Sequence, residues 1–248
     1  MIVLKSDRAL NSMRKAGRIV AEVHAKLAEA IQPGISTLKL DQLAEDYLMS
    51  CGATPSFKGY RGYPKSICTS INEEVVHGIP GDRILQEGDI ISVDIGAYID
   101  GFHGDATRTH GVGESSMEAQ RLIEITAGAL QAGIEAAAPG GRLGDISHAV
   151  QSFAETAGFG VVRDFVGHGI GSQMHEDPQV PNFGLPNRGP RLKPGLVLAI
   201  EPMVTAGDYR VRVLEDDWTV VTLDGSLCAH FEDTVAILED GVEVLTIL

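Results

Sequence analysis

Apolar residues recur at helical spacing in two pairs of segments, one pair in each half of the chain. In the first pair, positions three and four apart predict a helix from about Asp7 to Ile31, with Ser6 as its N-cap. A second helix is predicted from the candidate cap Thr37 to Gly52. In the other half, the same spacing predicts helices over about 117–138 and 145–157.

Stop signals and strand patterns recur between the two halves at an almost constant offset. The offset is 106 positions for Pro33-Gly34 and Gly52, which recur as Pro139-Gly140 and Gly158. It is 107 for the strand-like run 88–94, which recurs at 195–201, and each half has one His-Gly-Ile. We therefore predict an internal duplication: one α+β domain over 1–248, with repeats at approximately 7–110 and 116–240.

A hairpin is predicted to bring two aspartates together. Residues 89–99 alternate and are rich in Ile and Val, and Asp100-Gly101 is a strong signal for a two-residue turn. This turn pairs Gly96 with Asp105, so that Asp94 and Asp105 become diagonal neighbours, roughly 7–8 Å apart at Cα. On an apolar sheet such aspartates would repel and be costly to desolvate without cations between them.

The second half has a matching pair of carboxylates. Glu201 interrupts an apolar strand pattern and precedes Pro202, and Glu232 lies in a strand-like segment over 227–238. The duplication places Glu201 opposite Asp94, and Glu232 opposite Asp105. Together the four carry about −4, which two divalent ions balance, and His168 between glycines adds an imidazole. We expect a dinuclear site, which can activate water and clamp a carbonyl or a phosphoryl oxygen.

Charge and cysteine content limit the classes of partner and the cellular compartment that fit this chain. The formal net charge of −14 argues against nucleic acid as a main partner. The three cysteines form no CxxC pair, there is no signal-peptide pattern, and no apolar run of about 20 residues suggests a membrane span. We therefore expect a cytoplasmic protein.

A dinuclear phosphoesterase is disfavoured, because no basic cluster near the ligands would hold phosphate.

Together these segments resemble a known family over the chain from near residue 5 to its C-terminus. The chain is similar to the bacterial kind of type I methionine aminopeptidase, in peptidase family M24. The segments that carry the resemblance are Tyr60–Ser66, Ile71–Pro80, Asp94 to Asp105, Gly167–Gly171 with His175, Ile200-Glu201-Pro202, Trp218 and Phe231-Glu232. The resemblance implies the pita-bread fold, a curved antiparallel sheet covered by helices. It also implies removal of the initiator methionine from nascent chains whose second residue is small.

The resemblance further implies roles for individual residues. Two divalent ions (Co, Mn, Fe or Zn) would be bound by Asp94, Asp105, His168, Glu201 and Glu232. Glu201 would shuttle a proton, His175 would stabilise the oxyanion or the scissile amide, and His77 would position the peptide backbone. The substrate pocket would be lined by these two histidines and by Phe57, Tyr60, Tyr63, Cys68, Met174 and Trp218.

Three positions depart from the family pattern. Phe57 stands where a smaller residue is frequent, and Met174 stands where an aromatic residue is frequent, so pocket shape stays open. Cys228 replaces a serine that can help to hold a monovalent cation, and binding of such an ion also stays open. As partners, the family implies nascent N-termini at the ribosome, with no direct nucleic-acid role, no membrane and a monomeric state.

Two alternatives remain. A prolidase or proline-specific aminopeptidase of the same fold usually carries an additional N-terminal domain, whereas the first repeat is expected to start within the first few residues here. A binding protein of this fold would have lost metal ligands, but all five are present.

The histidines predicted to be structural are His103, His110, His148 and His230.

Overall fold

The predicted helices are present in a computed structural model that describes residues 1–248. The helices are α1 (Asp7–Ala30), α2 (Thr37–Ser50), α3 (Met117–Ala136) and α4 (Leu143–Thr156). Ser6 caps α1 as predicted, its hydroxyl accepting from the amide of Ala9. The predicted cap Thr37 is wrong: Ser36 caps α2, because the Thr37 hydroxyl is engaged with the backbone of Gly81.

Fifteen strands, several of them short, complete the fold. They are β1 (Thr54–Pro55), β2 (Ile67–Ile71), β3 (Glu74–Val76), β4 (Ile90–Ile99), β5 (Phe102–Gly111), β6 (Gly160–Val161), β7 (Gly167–Gly169), β8 (Glu176–Val180), β9 (Val197–Ile200), β10 (Met203–Thr205), β11 (Val211–Val213), β12 (Val220–Thr222), β13 (Cys228–His230), β14 (Glu232–Ile237) and β15 (Val242–Val244). A short 3-10 turn covers Tyr60–Gly62.

Nine of the strands form one curved antiparallel sheet that joins the two halves of the chain. Its order is β1-β4-β5-β14-β9-β7-β8, with β2 on β4 and β15 on β14. The hairpin β4–β5 has the predicted register, with Gly96 opposite Asp105 and Ile99 opposite Phe102. The strand-like segment predicted over 227–238 is present but divided: the chain leaves β13 in a small sheet and enters β14 of the large sheet after Phe231.

The helices pack on the sheet through apolar faces, which confirms the predicted α+β architecture. Helices α1 and α2 bury Val20, Leu27 and Leu40 against β2, β4 and β5. Helices α3 and α4 bury Ile134 and Ile146 against β9 and β14. The two helix pairs occur in the order that a duplication requires, and the repeat boundaries stay a prediction. None of the four helices combines the length and hydrophobicity needed to cross a lipid bilayer.

Candidate metal centre and active site

Five neighbouring strands of the large sheet each bring one potential ligand to the same place. Asp94 lies on β4, Asp105 on β5, Glu232 on β14 and His168 on β7, and Glu201 directly follows β9. Asp94 and Glu232 both lie opposite Thr107, one on each side of β5. Residues far apart in the sequence therefore converge because their strands are adjacent.

The side chains of this group are close enough to share ions. Nε2 of His168 lies 3.9 Å from Asp105 Oδ2 and 3.6 Å from Glu201 Oε1. Ligand atoms of Asp105, His168 and Glu232 all lie within 4.8 Å of one another. Nδ1 of His168 donates to the carbonyl of Gly169 at 2.9 Å, so the lone pair on Nε2 faces the carboxylates. Burial lowers the pKa of His168 to about 3, which keeps the imidazole neutral.

The carboxylates are strongly perturbed by their surroundings. Burial raises the pKa of Asp94 to about 7. Burial, followed by repulsion from neighbouring carboxylates, raises the pKa values of Asp105, Glu201 and Glu232 well above the ordinary range. Four such groups cannot all be ionised here unless cations balance them.

Unpartnered atoms also fit a metal centre. One oxygen each of Asp94, Asp105 and Glu232 is buried without a hydrogen-bond partner, whereas the other oxygen of Glu232 accepts from the Thr107 hydroxyl at 3.0 Å. Buried carboxylate oxygens rarely stay unpaired. The donor set of carboxylate oxygens with one imidazole suits divalent cations such as Mn, Fe, Co or Zn.

One cavity of about 130 Å³ adjoins these ligands. Every predicted site residue lines it: Phe57, Tyr60, Tyr63, Cys68, His77, Asp94, Asp105, His168, Met174, His175, Glu201, Trp218 and Glu232. Only Arg61, which was not predicted, joins them. The structure therefore brings all the predicted residues together, with an acidic floor and largely apolar walls. Their individual roles stay predictions.

Two histidines are held beside the acidic floor. The ring of His175 stacks on Tyr60 at 5.2 Å, and its Nδ1 lies 2.9 Å from the Tyr60 hydroxyl. Burial, and then Arg61, lowers the pKa of His175. His77 lies edge-on to Trp218, with 6.3 Å between ring centroids, and burial lowers its pKa to about 4. Both side chains are therefore neutral near pH 7 and able to donate hydrogen bonds without carrying charge.

The walls of the cavity are fixed by an aromatic pair. Trp218 meets Tyr63 edge-to-face at 5.0 Å. The Tyr63 hydroxyl donates to the backbone carbonyls of Ile67 and Gly78, at 3.1 and 2.9 Å. Phe57 and Met174 belong to the same apolar cluster, at 8% and 2% exposure. Two of the three departures from the family pattern, Phe57 and Met174, are thus buried in the pocket wall.

His230, predicted to be structural, lies next to the ligands. Its Nε2 is 3.8 Å from Glu201 Oε2 and has no hydrogen-bond partner. The sequence signal for this position is that His230 lies two residues before Glu232, because residues two apart in one strand share a face. Here the strand breaks between them, so that rule does not apply directly. His103 bonds Ser56 at 2.9 Å and does not line the cavity.

Comparison with known proteins places this geometry in a family. The model of metallopeptidase family M24 matches residues 11–239. The chain is 57% identical to methionine aminopeptidase 1 of Bacillus subtilis, over 99% of each chain. Its structure matches a crystal structure of methionine aminopeptidase from Thermotoga maritima with a TM-score of 0.99 at 46% identity, covering 100% of both chains. A prolidase from Pyrococcus furiosus shares the fold alone, with a TM-score of 0.80 at 23% identity over 99% of this chain and 66% of that one.

Proposed function

The chain belongs to metallopeptidase family M24, and we propose that it is a methionine aminopeptidase. It removes the N-terminal initiator methionine from nascent proteins and peptides when the second residue is small. The observation that carries the proposal is that five potential metal ligands border a small cavity with largely apolar walls. The chain also matches a methionine aminopeptidase over nearly the full length of both proteins. The pita-bread fold is shared with those relatives.

The proposed metal ligands are Asp94, Asp105, His168, Glu201 and Glu232. Two divalent ions bound there supply an activated water and polarise the scissile carbonyl. Fixed strands hold the ligands, so little rearrangement accompanies loading. This ligand set accommodates Mn, Fe, Co or Zn, so metal availability decides which of them is bound.

Glu201 is the proposed proton carrier. Its carboxylate lies at the end of β9, where Oε1 faces His168 and Oε2 faces His230. A carboxylate in this position can act first as general base and then as general acid. It takes a proton from the attacking water and delivers it to the departing amine.

The two neutral histidines orient and stabilise the peptide. Tyr60 donates to Nδ1 of His175, which leaves the Nε2–H of His175 to donate to the oxygen that gains charge in the transition state. His77 bonds the peptide backbone of the substrate. Neutral donors suit this task, because a charged imidazolium would be repelled by the bound cations.

The apolar part of the cavity accepts the methionine side chain. A flexible thioether gains about 0.3–1.5 kcal/mol from contact with aromatic rings such as Tyr63 and Trp218. Phe57 and Met174 belong to the same apolar wall.

We also propose the cellular setting. The enzyme acts as a monomer in the cytoplasm on nascent chains at the ribosome, without binding nucleic acid or membrane directly. The net charge of −14 and the three cysteines without a disulfide support this proposal.

Release of methionine from defined peptides tests the activity. Metal-stripped protein is assayed with Met-Ala-Ser, Met-Lys-Ser and Ala-Pro-Ser, before and after addition of Mn²⁺ or Co²⁺. Metal-dependent cleavage of Met-Ala-Ser alone is the expected result. Cleavage of Ala-Pro-Ser instead would identify a proline-specific enzyme, and no cleavage with metal bound would favour a binding protein.

A further inference from the structure

We propose that His230 is a positioning residue for Glu201, donating its Nε2–H to Oε2 and thereby fixing the orientation of that carboxylate. The inference rests on the proposed function, in which Glu201 is both a metal ligand and the proton carrier. It assigns a role to a residue outside the five ligands and the two site histidines.

The first support is the unpaired nitrogen. Nε2 of His230 is buried, has no hydrogen-bond partner, and lies 3.8 Å from Glu201 Oε2. That distance exceeds a hydrogen bond by about 1 Å. The terminal torsion of glutamate is soft, so a small rotation of the Glu201 carboxylate closes the gap. A buried donor with one acceptor in reach is expected to use it.

The second support is the rigidity of His230 itself. The residue is 2% exposed, and it lies on β13 opposite Met203. Its amide donates to the Thr109 hydroxyl at 2.9 Å, and that hydroxyl donates to its carbonyl at 2.7 Å. The imidazole therefore approaches Glu201 from a fixed strand, and the carboxylate is the partner that adjusts.

The third support is the placement of Glu201 between two imidazoles with different tasks. Oε1 lies 3.6 Å from Nε2 of His168, whose proton is on the opposite nitrogen. Oε2 faces His230, whose Nε2 has no other use. Donation from His230 would hold Oε2 and leave Oε1 directed toward the metal site. Partners that orient a ligand typically change metal affinity or activity by 10–100-fold when removed.

Two substitutions separate hydrogen bonding from space filling. His230→Gln keeps an amide N–H near the position of Nε2, whereas His230→Leu removes the donor and keeps similar bulk. We expect His230→Leu to weaken Mn²⁺ binding by roughly 10–100-fold and to lower kcat for Met-Ala-Ser with little change in KM. His230→Gln should stay within about threefold of the wild type in both measurements.

Calorimetric titration with Mn²⁺ decides the matter independently of peptide cleavage. If the wild type binds Mn²⁺ but cleaves no Met-Ala-Ser, the proposed function fails while the titration still tests His230. Equal Mn²⁺ affinity in the two variants would overturn the proposal, whether both match the wild type or both fall below it.

A measurement on the wild-type protein guards against misfolding of a variant. Long-range ¹H–¹⁵N NMR spectra distinguish the two neutral imidazole tautomers, and the His230 signal is assigned by its absence in His230→Gln. The proton is expected on Nε2. A proton on Nδ1 would mean that Nε2 cannot donate, and the proposal would be abandoned.

Discussion

Removing the charge of Asp94 should stabilise the folded protein when no metal ion is bound. Its Oδ1 is buried and unpaired, and burial raises the pKa of Asp94 from 3.8 to about 7. Asp94→Asn keeps the shape of the side chain and cannot ionise. The substitution therefore isolates the cost of one buried carboxylate in the metal-free site.

The size of the effect follows from the pKa difference between folded and unfolded states. Between about pH 4 and pH 7 the folded state holds a proton on Asp94 that the unfolded state has released, so stability falls as pH rises through this window. Below about pH 4 the stabilising contribution is fully present. A shift of about three pKa units corresponds to about 4 kcal/mol above pH 7. The neighbouring carboxyls, whose pKa values are also raised, act in the same direction.

Urea unfolding in the presence of a chelator measures this effect. The stability advantage of Asp94→Asn over the wild type should grow by roughly 2–3 kcal/mol between about pH 5 and pH 8. Saturating Mn²⁺ should reverse the order, because the variant has lost a ligand. An advantage that does not change with pH would refute the reasoning.

The matched control is Asp100→Asn in the turn of the same hairpin. Asp100 is exposed, and its φ of 53° is tolerated by asparagine. Its surface ion pair with Lys15 contributes little to stability. The control should therefore show no comparable pH-dependent advantage.

Three further substitutions test the proposed roles. Asp105→Ala should abolish Mn²⁺ binding and Met-Ala-Ser cleavage together, as measured by metal analysis and peptide assay; unchanged turnover would contradict its role as a ligand. His175→Ala should lower kcat by about 10²–10³-fold with the metals still bound, because one donor to the oxyanion is lost; loss of metal would assign it a different role. Trp218→Ala should reduce kcat/KM by about 2- to 12-fold, mainly by raising KM. This range corresponds to the loss of an aromatic contact that contributes about 0.5–1.5 kcal/mol. Unchanged kinetics would place Trp218 outside the substrate pocket.

Local patterns predicted the parts of the site that depend on short-range geometry. The Asp100-Gly101 turn sets the β4–β5 register, and that register places Asp94 and Asp105 on one face. Helix ends fell within two residues of the predicted positions, because capping and glycine stops are local signals. The prediction that His168, Glu201 and Glu232 join these aspartates came instead from the internal repeat and from the family resemblance.

Features that depend on packing between distant segments could not be predicted. The break after Phe231 sends β13 and β14 into different sheets, although no Gly or Pro marks it in the sequence over 227–238. The nearness of His230 to Glu201 follows from that break, since β13 pairs with β10 just beyond the end of β9. No spacing rule along the chain expresses such a contact. The same holds for Arg61, which reaches the cavity from a backbone with φ of 49°.

The two halves of the sheet meet where β5 pairs with β14, and we call this pairing the seam. It shows how the ligands are held before metal binds. Strands β5 and β14 pair at only two positions, yet they carry Asp105 and Glu232. Side chains reinforce this short seam: the Thr234 hydroxyl bonds both backbone groups of Asp105, and Arg108 donates to the carbonyl of Glu232 and to Asp233 at 2.6 Å. The backbone of both ligands is thus fixed by bonds that do not involve the ions. Metal binding then mainly offsets charge repulsion, which is why loading should change stability more than shape.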